Sequence, residues 1–119
     1  MSDSQILDQG ALDRLKEWGG DKLLAQMLRL FLDNAPGRMS QIRNGLAGGD
    51  IKEAEKGAHS LKSSSANVGA EQVRAIAADM ERAAAGGDTT AVQALLPSLE
   101  NAFSQAIAAL ESVEKGLST

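Results

Sequence analysis

At 119 residues and 43% hydrophobic, the chain has the size of one globular domain and is too apolar for disorder. Its net charge of −4 argues against nucleic acid or an anionic membrane as partner. Cysteine is absent and histidine occurs once, which excludes disulfides, thiol nucleophiles, thiolate zinc and histidine-rich metal centres.

Aromatics are only 3%, so alanine and leucine must fill the core, which favours closely packed helices. Long β-branched runs, the mark of strands, are missing. The N-terminus, Met1-Ser2-Asp3-Ser4-Gln5, has neither a basic region nor an apolar one and is no signal peptide. No apolar run reaches membrane-spanning length, so a cytoplasmic protein is expected. Residues 1–7 are predicted to fray.

Asp8 or Asp13 is predicted to cap a short helix carrying Leu12, Leu15 and Trp18, ended by Gly19-Gly20. Trp18 is expected to cover one end of a bundle, with partner binding as the alternative. Asp21 then caps a long helix whose apolar stripe is Leu24, Leu28, Phe31, Ala35, Met39, Ile42 and Leu46. Pro36 interrupts it, but the stripe keeps phase, so one kinked helix is predicted; a break near Asn34 is the alternative. Ala47-Gly48-Gly49 is a turn, and Asp50 caps the next helix, which runs to about Val68. Ile51, Ala54, Ala58, Leu61, Ser65 and Val68 share its buried face, and Gly69 reads as its left-handed C-terminal stop. Ser65 is small enough to let a neighbouring helix come close. A helix over about 71–85 buries Val73, Ile76, Ala77, Met80 and Ala84 and stops at Gly86-Gly87. Asp88 caps the last helix, with Val92, Leu95, Leu96, Leu99, Phe103, Ala106, Ile107, Leu110 and Val113 inward, a kink at Pro97 and a loose tail from Lys115. Short glycine turns between long stripes imply antiparallel neighbours. The predicted fold is all-α: an antiparallel up-down four-helix bundle with an additional short N-terminal helix. It forms one domain over residues 1–119, ordered over about 8–114.

His59 points away from the buried face of its helix. Its helical neighbours are Glu55, Lys62, Ser63 and Ala66. Two readings follow from the residues. A lone exposed imidazole titrates harmlessly, or its neutral nitrogen takes a phosphoryl group whose charge Lys62 neutralises one turn away. Spacing does not choose between them. For Lys62 the plain reading is a solvated lysine pairing with a nearby carboxylate.

The run His59-x-Leu61-Lys62-x-x-Ser65-x-x-x-Gly69-Ala70 resembles the signature of histidine-containing phosphotransfer (HPt) domains, the middle carriers of multistep phosphorelays. The helical pattern fits over nearly the whole chain. The resemblance implies a phosphocarrier with no kinase or ATP-binding machinery of its own. His59 Nε2 takes a phosphoryl group from a receiver-domain aspartate and passes it reversibly to a response-regulator receiver. Lys62 stabilises the phosphoryl charge. Leu61, Ser65 and Gly69 are motif positions with structural roles. Glu81 occupies a position where the family often places a partner for the other imidazole nitrogen; an ordinary surface glutamate is the alternative. The implied partners are receiver domains of hybrid histidine kinases and response regulators. They would dock on Glu55, Lys62, Ser63, Ala66, Asn67 and part of the long helix. No cofactor or metal of its own is implied, and Mg²⁺ is expected on the receiver. A free-standing monomer is expected. At the position after the lysine the family usually has glycine, and here it is Ser63. The alternative is therefore a non-catalytic module that docks or sequesters receivers, with Ser63 impairing transfer.

Overall fold

The computed structural model describes residues 6–118, so the fraying expected of residues 1–5 lies outside the described residues. Leu7, counted with that segment, is buried, and the Asp8 amide donates to the Gly69 carbonyl at 2.6 Å. The residues just before the first helix are thereby tied to the end of a later one.

The helices are α1 (Gln9–Ala47), α2 (Ile51–Asn67), α3 (Glu71–Ala85) and α4 (Thr89–Ser118), with no strand among the described residues. Asp8 caps α1, its carboxylate accepting from the Gly10 amide at 3.0 Å. The expected short N-terminal helix corresponds to the first limb of α1, residues 9–19, set off from the second limb by a kink at the expected glycines. Only Gly20 leaves helical torsions, at φ 70° and ψ −167°. A Cβ on Gly19 would lie 2.5 Å from the Leu23 Cβ, so the second limb starts hard against the first. Asp21, expected as a cap, instead faces Lys16 across this break at 3.5 Å. The helix continues through Pro36 without leaving helical torsions, so the alternative break at Asn34 does not occur. The proline forfeits one backbone hydrogen bond, and Phe31, Leu32, Ala35, Met39 and Ile42, all buried around it, hold the two sides in one helix.

The short turns carry the expected chemistry. Asp50 accepts from the Glu53 amide at 3.2 Å and Asp88 from the Ala91 amide at 3.0 Å. Gly69 sits at φ 72°, and a Cβ there would be 2.6 Å from the Asp8 carbonyl oxygen, so glycine is needed for torsion and for space. The segment expected to be loose from Lys115 is helical to Ser118, because Val113 and Leu117 lie against the core.

Each helix packs on the next, and α1 closes the ring on α4. The pairs Arg29–Glu114 and Arg43–Glu100 run in opposite senses along α1 and α4, as antiparallel helices require. The centre is filled by Leu28, Met39, Ile42, Leu61, Met80, Leu99 and Leu110, all essentially without exposure. Phe31 and Phe103 meet at a centroid distance of 6.5 Å. No helix among the described residues is long and apolar enough to cross a membrane.

Two glycines set the spacing of α1 and α2. A Cβ on Gly45 would lie 2.8 Å from the Ala54 amide nitrogen, and one on Gly57 would lie 2.8 Å from the Ile42 side chain and 3.1 Å from the Arg38 carbonyl. Glycine inside a helix costs about 0.5–1 kcal/mol relative to alanine. Here it lets the two backbones approach over the turns of α2 that lead into His59.

Candidate functional site

The inner face of α2 is fixed first. Ala54, Ala58, Leu61 and Ser65 have no exposure, and Val68 has 1%. With that face locked, the helical rotation of 100° per residue leaves His59 outside. Its side chain is 62% exposed.

The imidazole is held from the neighbouring helix. Glu81, on α3, places Oε2 at 2.6 Å from His59 Nδ1 and Oε1 at 2.5 Å from Lys62 Nζ. An ionised carboxylate only accepts, so Nδ1 carries the hydrogen and donates it. In the neutral imidazole the lone pair then sits on Nε2, the nitrogen turned away from Glu81. The hydrogen bond from Lys62, with a smaller contribution from His59, holds the Glu81 carboxyl below its ordinary value of 4.5 against the opposing effect of burial. Glu81 is therefore ionised at neutral pH. It is half-buried, with 21% of its side chain exposed, and is not a freely solvated surface glutamate.

The remaining expected positions fall around this triad. Glu55 is half-buried and lines an open groove of about 650 Å³ together with His59, Glu81, Arg38, Lys52 and Lys56. Ser63, Ala66 and Asn67 are exposed. Ala66 and Asn67 border a hollow shared with Trp18 and Met27, and Asn67 borders a second one with Leu30 and Phe31. Leu61 and Ser65 belong to the core, and Ser65 Oγ is buried without a hydrogen-bond partner. Gly69 ends α2 and receives the Asp8 amide.

Trp18 corrects the sequence reading. It is 73% exposed and does not cover the bundle end. Leu12 and Leu15 of the same limb are buried while Trp18, two residues before the kink at Gly20, stands outside, and Leu30 is 56% exposed in the neighbouring hollow. Sequence reasoning also missed Arg38 and Gly57. Nothing local marks them, since their significance comes from the helix they face.

A family model described as the Hpt domain matches residues 26–112. Among solved structures, histidine-containing phosphotransfer protein B from Pseudomonas aeruginosa is similar at 24% identity, over 92% of this chain and 95% of that one, with a TM-score of 0.86. A histidine-containing phosphotransfer protein from maize is similar at 24% identity, over 99% of this chain and 88% of that one, with a TM-score of 0.83. At these identities the likeness is one of fold. No curated protein matches the sequence.

Proposed function

Because the chain belongs to the Hpt domain family, whose members carry phosphoryl groups in phosphorelays, we propose that His59 is the phosphoryl-carrying residue of a multistep two-component relay. The observation that carries this reading is the 2.6 Å contact between His59 Nδ1 and Glu81, which leaves Nε2 as the free, outward nitrogen.

The donor is the aspartyl phosphate of a receiver domain. The Nε2 lone pair attacks phosphorus in line, the P–O bond to the aspartate breaks, and the carboxylate leaves with its electron pair. The ring becomes a phosphoimidazolium whose positive charge faces the Glu81 carboxylate. Glu81 thus orients the ring before transfer and balances its charge afterwards. Lys62, one helical turn from His59, stabilises the phosphoryl oxygens. Phosphoryl transfer depends mainly on positioning and charge neutralisation, so a nucleophile on a rigid helix is sufficient here. Mg²⁺ is held by the receiver, and this chain needs no cofactor, kinase activity or second subunit. The reverse reaction delivers the group to the aspartate of a response regulator. Receivers dock over Glu55, Lys62, Ser63, Ala66 and Asn67, with the exposed Trp18 and Leu30 extending the apolar side.

The test mixes the protein with phosphorylated receiver domains and Mg²⁺ and follows the label on a Phos-tag gel. An acid-labile, alkali-stable phosphoprotein that disappears in His59→Gln supports the reading. Receivers that bind without transferring would favour a docking module instead. In that case Ser63→Gly shows whether the serine blocks approach: a large gain in transfer identifies it as the obstacle.

A further inference from the structure

Five of the six arginines lie within 4.0 Å of a carboxylate: Arg14, Arg29, Arg43, Arg74 and Arg82. Arg38 does not. Its guanidinium donates instead to the Gln41 amide oxygen, at 3.4 Å. Lys52 and Lys56 likewise have no carboxylate within ion-pair distance among the described residues, and all three are exposed. These three cations line one groove, and His59 lies in its wall. Two of them come from α2 and one from α1, so the cluster exists only in the folded chain.

The clustering runs against the composition. The chain has 16 acidic residues to 12 basic ones, so carboxylates were plentiful enough to neutralise every cation. Lys52 and Lys56 stand at i and i+4, where like charges repel. Only two carboxylates line the groove: Glu55, and Glu81, which Lys62 and His59 already occupy. The wall beside the nucleophile is therefore positive on a protein whose total charge is −4.

We infer that Arg38, Lys52 and Lys56 form an electrostatic docking patch for an acidic partner face, which guides the partner's phosphoryl-bearing carboxylate onto His59. This rests on the phosphocarrier reading and names the charge of the partner surface which that reading requires. On that reading a receiver approaches with a dianionic phosphoryl group on its aspartate. The negative bulk of this chain repels that face, and this cluster of cations is the local exception that attracts it. Such a patch acts on the rate of association more than on the lifetime of the complex, and salt weakens it.

The probe is a panel of purified receiver domains loaded with Mg²⁺ and beryllofluoride, with association followed by stopped-flow at low and high salt. Two variants make the same change in net charge: Arg38→Glu in the groove, and Lys115→Glu on α4, outside it. Association of the wild-type protein should fall steeply with salt. At low salt Arg38→Glu should slow it about tenfold or more, the scale of electrostatic steering. Lys115→Glu should change it little, and the difference should vanish at high salt. The proposal is overturned if both variants slow association equally, if salt has no effect, or if no receiver associates at low salt. Phosphorylation of His59 by phosphoramidate, followed separately, tells the two failures apart. A histidine that never takes up phosphoryl defeats the functional reading, whereas one that does so beside an inert groove defeats only this inference.

Discussion

The two faces of α2 have opposite constructions. The inner face, Ala54, Ala58, Leu61, Ser65 and Val68, is closed to solvent, and Gly57 beside it touches α1 where a Cβ would not fit. The outer face carries His59, Lys62, Ser63, Ala66 and Asn67, mostly short or polar side chains with room around them. Packing fixes where the imidazole stands. Two hydrogen bonds to one carboxylate fix what it can do. Changes on the inner face should therefore act on stability, and changes on the outer face on transfer.

The largest stability effect should come from Leu61→Ala. Leu61 has no exposure, and truncating a buried leucine costs about 2–5 kcal/mol. Chemical denaturation should show this loss, and any fall in transfer should follow the folded fraction. The corresponding change on the outer side is Glu81→Ala. Removing a group that orients a reactive side chain typically costs about 10–100-fold in activity. Transfer to His59 should fall by that much with the fold intact, and Glu81→Gln should recover part of it, since its one amide oxygen still accepts from a single partner. An unchanged rate would remove Glu81 from the mechanism.

Next in size is Gly57→Ala. The added Cβ would meet Ile42 at 2.8 Å, and overpacking of this kind costs about 1–3 kcal/mol. Here the two faces should couple, because α2 must move and His59 moves with it; transfer should drop even in the folded population.

The acid limb of the stability curve sharpens the comparison further. Glu81 is held below its ordinary value of 4.5, chiefly by Lys62. A carboxyl depressed in the folded state stabilises the fold above its unfolded value, and that stabilisation is lost as pH falls through the folded value. The melting-temperature difference between wild type and Glu81→Ala should thus be full at neutral pH and shrink below about 4.5. A difference that grows on acidification would contradict the ion pair. The smallest effect is expected from Ser65→Ala. The hydroxyl is buried without a partner, so its removal should leave the melting temperature unchanged or raise it slightly.

Much of the scaffold was legible from local signals. Glycine and aspartate turns bounded α3 at Glu71–Ala85, and the cap at Asp50 with the stop at Gly69 placed His59 on a helix with its outward face correct. The His59–Lys62 spacing was visible for the same reason. What escaped depends on other helices. Trp18 is apolar and sits in phase with Leu12 and Leu15, yet it stands outside, where the first limb ends at the kink of Gly20. Gly57 reads as a weak point in a helix until Ile42 is seen against it. Arg38 looks like any surface arginine until the partners of the other five are known, one of them 57 residues away in sequence.

The central claim is that Nδ1 is tied to Glu81 and Nε2 is the nitrogen that carries phosphorus. It is tested most directly by phosphorylating the protein with phosphoramidate and recording phosphorus-coupled imidazole ¹⁵N spectra of His59. The account predicts the nitrogen–phosphorus coupling at Nε2, with a slowly exchanging, hydrogen-bonded proton at Nδ1 that is lost in Glu81→Ala. Coupling at Nδ1, or no phosphohistidine at all, would contradict it.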